Sequence, residues 1–320
     1  MRFKQLIFSG IALFSLLMSS CEKIYDEAQG CGLFIDFKYD YNMLYTDAFH
    51  SLVKKVDVYV FDTDSSFLFK QSAEGSQLID KNYRMRLNVP ASESQKYIVM
   101  AWAGSIENFE VQPINRIPAN IRDLKLMMHQ QEDGMNNMDL GSLWYGEIRN
   151  INYLAHGEQT ETVNLIKDTN RFRIILQNIG KGNSISVNDL SFRILSDNTY
   201  YNHKNEIIST HTLSYQPYFK KDVAEVGAVA ELNTMRLVEN NPLQLIIRDN
   251  KSNLELLNID FMKYLLASKM EGYDMTAQEY LDRQSEFTII LFYNMVNNAP
   301  YLSAKIKVNN WVTWLQNAEF

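Results

Sequence analysis

The sequence predicts an all-β protein with two tandem antiparallel β-sandwich domains and a short helical insertion in the second. Three observations support this fold class. Short runs rich in β-branched and aromatic residues recur at fairly regular spacing along the 320 residues. Most of these runs follow one another without the intervening helix that an α/β architecture requires. The chain is also long enough to bury two separate cores.

The first sandwich is predicted over residues 31–166. Val56, Val58 and Val60 alternate with Asp57, Tyr59 and Phe61 of the opposite face, which is typical of a β-strand. The predicted strands of this domain cover residues 32–38, 56–62, 67–71, 84–89, 97–102, 143–148 and 160–165.

The second sandwich is predicted over residues 167–320, after a polar segment that lacks Pro and Gly and so indicates a tight junction. Its strands are predicted at residues 171–177, 190–195, 226–232, 243–248, 254–259, 287–293, 304–308 and 311–315. Residues 260–270 have apolar side chains at helical spacing. Thr276 and Glu279 form a capping-box pattern that starts a second helix, with Gly272 between the two helices.

Residues 1–20 are interpreted as a lipoprotein signal peptide. Arg2 and Lys4 precede an apolar run over residues 6–18. This run is shorter than the roughly 18 apolar residues that a membrane span needs. Cys21 would carry an S-diacylglycerol group and, once cleavage between Ser20 and Cys21 has freed its amino group, an N-acyl group such as palmitate; several acyl chains give stable anchoring. An ordinary secretory signal with a chance cysteine is the alternative. Residues 21–30 then form a lipidated linker.

The composition of the mature chain excludes some functions. Loss of residues 1–20 removes two basic side chains and changes the formal charge from −7 to −9, with 29 basic against 38 acidic side chains. Such a chain lacks the electrostatic footprint of a nucleic-acid-binding protein. With Cys21 acylated, Cys31 has no intramolecular partner, so the fold cannot depend on a disulfide. We expect Cys31 to be a small buried residue.

No pattern predicts a cofactor, a metal or a catalytic site. The segment 62–66 begins like a calcium loop, but Phe67 and Ala73 occupy the later Gly and Glu positions, so a hairpin turn is favoured. The Gly-rich segment 180–184 lacks the remaining residues of a phosphate loop and is interpreted as a turn. The five histidines lack metal-ligand spacing.

Aromatic residues are the one excess that could indicate a ligand. Trp144, Tyr145, Trp311 and Trp314 could form a stacking platform for sugar rings. Packing in the cores or between the domains is the favoured interpretation, because strands of sandwiches bury aromatic side chains routinely. Trp311 and Trp314 are three residues apart and therefore face opposite sides of a strand, which places one of them in the core.

Several segments together resemble the fimbrial anchor lipoproteins of Bacteroides-type bacteria, the minor subunits that accompany fimbrillin pili. The segments are Cys21, then 31–37 (CGLFIDF), 47–49 (DAF), 53–62 (VKKVDVYVFD), 139–146 (DLGSLWYG), 163–165 (VNL), 169–174 (TNRFRI) and 306–311 (IKVNNW). At the position where the family commonly has a glycine before the closing tryptophan, this chain has Asn310.

The resemblance implies two tandem transthyretin-like β-sandwiches and a role at the cell-proximal end of a fimbrium. It also implies fimbrillin-type pilus subunits as partners and a lipid-anchored location at the outer membrane, exposed at the cell surface as part of a fimbrium. Assembly by strand addition, in which a segment of one subunit completes the sheet of another, would make Trp311 and Trp314 candidates for the joint.

The leading hypothesis is thus a non-enzymatic anchor and assembly subunit that functions in cell adhesion. A glycan-binding outer-membrane lipoprotein that uses the tryptophans is the alternative from the binding class. An enzyme is disfavoured because no acid, base or metal constellation is evident.

Overall fold

The computed structural model describes residues 32–92, 95–131, 134–154, 157–179, 186–269, 274–296, 299–309 and 311–314. The strands of the N-terminal half are β1 (Gly32–Lys38), β2 (Lys55–Phe61), β3 (Phe67–Glu74), β4 (Met85–Leu87), β5 (Lys96–Gly104), β6 (Phe109–Gln112), β7 (Lys125–Met128), β8 (Met135–Asn136), β9 (Leu143–Asn152), β10 (Glu158–Asn164) and β11 (Ile166–Lys167).

The C-terminal half continues with β12 (Thr169–Asn178), β13 (Leu190–Ser196), β14 (Tyr200–Asn202), β15 (Leu213–Tyr215), β16 (Phe219–Val223), β17 (Gly227–Met235), β18 (Gln244–Asp249), β19 (Leu254–Asp260), β20 (Glu286–Val296), β21 (Ala299–Val308) and β22 (Trp311–Trp314). The α-helices are α1 (Phe49–Leu52), α2 (Ser76–Ile79), α3 (Phe261–Ala267) and α4 (Ala277–Arg283). Short 3₁₀ helices cover Ile106–Asn108, Ile121–Asp123 and Val187–Asp189.

The N-terminal half is a sandwich of two sheets. Sheet I has the order β10-β1-β4, and sheet II has the order β11-β9-β5-β2-β3. The alternation predicted for the second strand is observed, because Val56, Val58 and Val60 are fully buried between the sheets. The residues of its opposite face, Asp57, Tyr59 and Phe61, are buried as well. Trp144 lies in the same core. This half therefore has its own apolar layer, as the sequence predicts.

The C-terminal half also has two facing sheets. Sheet III has the order β16-β17-β12-β20-β21-β22, and sheet IV has the order β19-β18-β13-β15-β8. Phe172, Ile174 and Leu176 of β12 point into the core. The same core continues to the outer face of sheet II, where it includes Trp102. One apolar cluster thus joins the two halves.

A long insertion between β5 and β9 connects the halves. Its strands β6 and β7 join β14 of the C-terminal half in a small sheet, sheet V. Its strand β8 pairs in parallel with β15 at the edge of sheet IV. Neither this insertion nor its pairing is predicted from the sequence, because strands of two to four residues are too short to show a period.

Seven strands of each half follow the same connectivity. In chain order, β1, β2, β3, β4, β5, β9 and β10 correspond to β12, β13, β15, β17, β18, β19 and β20. In both halves, the first strand pairs in parallel with the last and antiparallel with the fourth. In both halves, the second strand lies between the third and the fifth. The sequence shows no short-period repeat that would predict this correspondence.

The fold class is confirmed as all-β with few helices, with one correction. Most neighbouring strands are antiparallel, as predicted, but β1 and β10, β12 and β20, and β8 and β15 run parallel. Parallel neighbours need a long crossover, and strand periodicity does not show which distant strands pair. The predicted boundary between residues 166 and 167 falls within β11, and the division into two domains stays a prediction.

The predicted helices of the second half are confirmed as α3 and α4. The Thr276 side chain accepts a hydrogen bond from the Glu279 backbone N–H at 3.1 Å, as the capping pattern predicts. Gly272, Cys31 and the segment 180–184 lie outside the described residues. No helix in the described ranges has the length and apolar character of a membrane span.

Candidate assembly site

The edges of sheet III differ in character, and this difference points to β22 as a candidate assembly site. At one edge, β16 is almost entirely exposed and includes Lys220, Lys221 and Asp222. Charged side chains on an edge strand discourage pairing with other chains. At the other edge, β22 has the sequence WVTW, which has no charge. In the described part of the chain, no strand lies beyond β22.

The turn before β22 is held by an asparagine. Asn309 has a φ of 51°, a left-handed conformation that asparagine tolerates better than most residues. Its side chain accepts a hydrogen bond from the Thr288 N–H at 2.8 Å, and its own N–H donates to the Thr288 carbonyl at 2.7 Å. The turn is therefore tied to β20, which fixes the start of β22 against the sheet.

The predicted joint residues lie in this edge strand. Trp311 pairs with Val308 and Trp314 with Lys305 of β21. Val312 between them is 54% exposed. The side chains of the two tryptophans lie outside what the structure describes. The sequence analysis identified this strand from its aromatic residues but could not show that it is an edge.

Trp144 and Tyr145 do not belong to this site. Trp144 is 1% exposed and Tyr145 is 8% exposed. The Tyr145 hydroxyl donates to the His203 carbonyl oxygen at 2.7 Å, across the contact between the halves. Both residues therefore pack in the interior, and neither can offer a ring to a sugar.

The junction between the halves contains a buried polar network. Arg236 donates two hydrogen bonds to the Asp282 carboxylate, at 2.7 and 2.8 Å, and a third to the Asn205 carbonyl oxygen at 3.2 Å. The Asn205 side chain donates to Asp168 at 2.7 Å. Burial raises the pKa of Asp168 to about 7, although Arg236 and the Asn205 hydrogen bond act in the opposite direction.

A loop of the N-terminal half is fastened to the same junction. The Arg283 guanidinium lies 4.1 Å from the ring centre of Tyr41 and 4.3 Å from that of Tyr45. It also donates to the carbonyl oxygens of Asp40 and Asn42. Cation–π contacts and hydrogen bonds thus connect α4 to the segment after β1. The arrangement serves to hold the two halves together.

The remaining predicted sites are placed as follows. Ser20 and Cys21 lie outside the described residues. The segment 62–66 is the hairpin turn between β2 and β3, as predicted, because Asp62 Oδ1 accepts from the N–H groups of Asp64 and Ser66 at 3.0 and 2.8 Å. Within the described ranges, no three His, Cys, Asp or Glu side chains form a group that could hold a metal. Metal content stays a prediction.

Comparisons with known proteins indicate the family. The sequence profile of the fimbrillin-A associated anchor proteins Mfa1 and Mfa2 matches residues 21–317. No curated protein matches the chain.

Solved structures agree with this match. A candidate polysaccharide-binding protein of Bacteroides thetaiotaomicron is 36% identical with a TM-score of 0.80, covering 90% of this chain and 99% of that one. A candidate adhesin of Bacteroides ovatus is 28% identical with a TM-score of 0.77, covering 94% and 100%. The fimbrial anchor protein Mfa2 of Porphyromonas gingivalis shares the fold, at 17% identity and a TM-score of 0.67, covering 88% and 98%. The chain belongs to the family of fimbrillin-A associated anchor proteins and has a fimbria-associated role.

Proposed function

We propose that this chain is a non-enzymatic outer-membrane lipoprotein that anchors fimbriae through acyl chains on Cys21 and helps to assemble them. The observation that carries the proposal is the family match over residues 21–317, which begins at the predicted lipidated cysteine. In this proposal, the two halves are tandem transthyretin-like domains over residues 31–166 and 167–320. The shared connectivity of seven strands supports that division.

The path of the chain supports an anchor with two functional ends. Lys38, the last residue of β1, pairs with Asn164, shortly before the chain enters β12. The start of β1 therefore lies at the end of sheet I away from the junction, and β12 leads from the junction into the other half. Acyl chains attached before residue 32 would hold the outer end of the N-terminal half at the membrane. The C-terminal half would then project away from it.

The proposed joint is β22, which a fimbrillin-type subunit would extend by strand addition. An edge strand presents unpaired backbone N–H and C=O groups, and main-chain hydrogen bonds to them give such a joint its strength. The uncharged sequence of Trp311–Trp314 supports β22 over β16 as the edge for this contact.

The lipid anchor is tested by the Cys21→Ala variant. We expect the folded protein to leave the membrane fraction and to incorporate no radiolabelled fatty acid, because acyl chains are its proposed contact with lipid. Protease treatment of intact cells tests surface exposure in the same strains. A Cys21→Ala protein that still requires detergent for extraction would contradict the anchor.

The joint is tested by deletion of residues 310–320. If β22 forms the joint, the truncated lipoprotein should remain at normal abundance in the membrane while fimbriae detach into the medium. The matched control is the Lys221→Ala variant at the opposite edge, which should retain fimbriae. Normal retention after the deletion would exclude a C-terminal joint.

A glycan-binding lipoprotein is the second candidate function. One observation favours it, which is the 36% identity to the candidate polysaccharide-binding protein of B. thetaiotaomicron. Single changes of Trp311 or Trp314 to Ala separate the two candidates. On the glycan hypothesis, sugar binding is lost while the melting temperature stays nearly unchanged. On the anchor hypothesis, folding or fimbrial retention is weakened.

A further inference from the structure

Strand β3, the third strand of the N-terminal sandwich, has an outer edge that is largely unpaired in the described residues. In the C-terminal half, β15 is the equivalent strand, and β8 covers its outer edge. In the N-terminal half, β3 is the last strand of sheet II. Within the described residues, only the start of its outer edge is covered, by the Ser66–Asn120 bridge and the hydrogen bond from the Phe67 N–H to the Ala119 carbonyl oxygen. No described strand pairs with the rest of this edge, residues 68–74.

A cleft of about 760 Å³ adjoins this open edge. One wall consists of residues of β2 and β3, including Tyr59 and Phe67, and the other consists of the loop over residues 112–118. Two side chains of that loop are exposed apolar groups, with Ile114 at 62% and Ile117 at 76%. Leu68, the extra residue of a bulge in β3, is 39% exposed. Apolar surface and unpaired backbone therefore lie side by side, which is the combination that an added strand uses. The two charged side chains of this edge, Lys70 and Glu74, form ion pairs with Asp57 and Lys55 of β2.

A buried carboxylate in the cleft has an unsatisfied oxygen. Asp57 lines the cleft and is only 4% exposed. Its Oδ2 pairs with Lys70 Nζ at 2.7 Å, but its buried Oδ1 has no hydrogen-bond partner. A buried acceptor without a donor destabilises the folded protein, and a donor from a bound partner would remove that penalty. The Lys70 side chain is 42% exposed and can move aside, so a second cation could reach this carboxylate.

We propose that the cleft and residues 68–74 of β3 bind an extended segment of a partner protein. The segment has apolar side chains at alternate positions and an arginine or lysine that reaches Asp57. The inference rests on the proposed assembly function and assigns it a second contact surface, separate from β22. The molecule contains a precedent for the occupant, because the extended strand β8 takes the equivalent edge in the other half. The cationic residue follows from the unpaired Asp57 oxygen, since an arginine can donate two hydrogen bonds to one carboxylate.

The test uses a phage-displayed library of random peptides about nine residues long, which is enough for one strand with its flanks. The library is selected on the full mature lipoprotein in detergent and counter-selected on the Ile117→Glu variant. We expect enrichment of peptides with alternating apolar residues and one Arg or Lys. A synthetic consensus peptide should slow hydrogen exchange of the amides over residues 68–74. Replacing two consecutive central residues with Pro should abolish binding, because one of the two N–H groups faces β3 and proline has no N–H to donate.

The variants locate the contact. Ile117→Glu should weaken binding of the consensus peptide about tenfold or more, which corresponds to about 1.4 kcal/mol. The control Leu254→Glu replaces an exposed apolar residue of the other half and should leave affinity unchanged. Asp57→Asn should act like Ile117→Glu. If Asp57→Asn fails to fold, a consensus peptide with Glu in place of its basic residue tests the same contact and should bind at least about tenfold more weakly.

Several outcomes would overturn the proposal. These are a lack of enrichment over the Ile117→Glu variant, a consensus without a basic residue, or exchange protection outside residues 68–74. A self-association of the lipoprotein that protects the same amides would assign the edge to a second copy instead. Fimbrial retention is measured separately with the 310–320 deletion. If the peptide test fails but the 310–320 deletion still releases fimbriae, the cleft proposal is refuted and the proposed joint at β22 is not.

Discussion

The two halves of the molecule share the connectivity of seven strands but differ at their edges. In the C-terminal half, β21 and β22 extend the sheet beyond β20, and β8 covers β15. In the N-terminal half, β10 and β3 are the last described strands at the equivalent positions. The core layout is therefore repeated in the two halves. Additional strands at the edges distinguish the half proposed to lie near the membrane from the half proposed to meet the fimbrium.

The cores differ in a second way. The apolar layer between sheets I and II contains residues of the N-terminal half only, whereas the larger cluster includes residues of both halves. The insertion carrying β6, β7 and β8 contributes to this larger cluster. The C-terminal half therefore buries its core partly against the N-terminal half. The N-terminal half also has an apolar layer made of its own residues alone.

Replacing one buried tryptophan in each cluster tests this asymmetry and has the largest expected effect. Trp102 belongs to the shared cluster and Trp144 to the N-terminal layer, and each is 1% exposed. Each change to Ala should destabilise by about 3 to 5 kcal/mol. Trp102→Ala should accelerate hydrogen exchange in both halves, whereas Trp144→Ala should act mainly before residue 167. Equal patterns for the two variants would show that the cores are not distinct.

The junction network provides the next test. Arg236→Met leaves the Asp282 carboxylate, whose side chain is 5% exposed, without its main partner. Loss of one member of a buried ion pair costs about 3 to 5 kcal/mol, and we expect about 3 because Arg236 keeps 15% exposure. The control is Lys251→Met at the exposed pair with Asp189, which should change stability far less than loss of the buried pair. Urea denaturation measures both. Similar values would mean that the buried pair contributes no more to stability than an exposed one.

Local sequence patterns predicted much of this fold. The features that they did not predict depend on pairing between strands far apart in the chain. The alternation around Val58 and the cap at Thr276 depend on near neighbours in sequence, and both predictions are confirmed. Pairing of β8 with β15 joins residues about 80 positions apart in a two-residue strand, which no periodicity can reveal.

The candidate site shows the same division between local and long-range information. The aromatic residues marked β22 in the sequence, but its position at an edge depends on how β20 and β21 pair. The unsatisfied oxygen of Asp57 could not be predicted either, because it depends on which side chains of distant segments surround the carboxylate.

The pH dependence of the unfolding free energy tests a smaller contribution from the junction network. The pKa of Asp168 is about 7 in the folded protein against 3.8 for an unperturbed Asp. Between these values the folded state holds a proton that the unfolded state has lost, so stability falls as the pH rises from about 4 to about 7. The slope from this group is at most about 1.4 kcal/mol per pH unit.

The Asp168→Asn variant should remove that contribution, since its side-chain oxygen can still accept from Asn205. The difference in unfolding free energy between wild type and variant, measured at several pH values, isolates the effect from other titrating groups. A difference that does not depend on pH between about 4 and about 7 would contradict the raised pKa.

The smallest expected effect concerns the helix that only the C-terminal half has at the junction. Thr276 caps α4, and Thr276→Ala should cost about 1 kcal/mol because the Glu279 N–H loses its acceptor. The helix carries Asp282 and Arg283, which bind Arg236 and the loop after β1. Fraying of α4 should therefore accelerate hydrogen exchange in that N-terminal loop as well as in the helix. Thr162→Ala, on an exposed position of β10, is the control and should change neither. Faster exchange confined to α4 would show that the helix packs at the junction without holding the N-terminal loop in place.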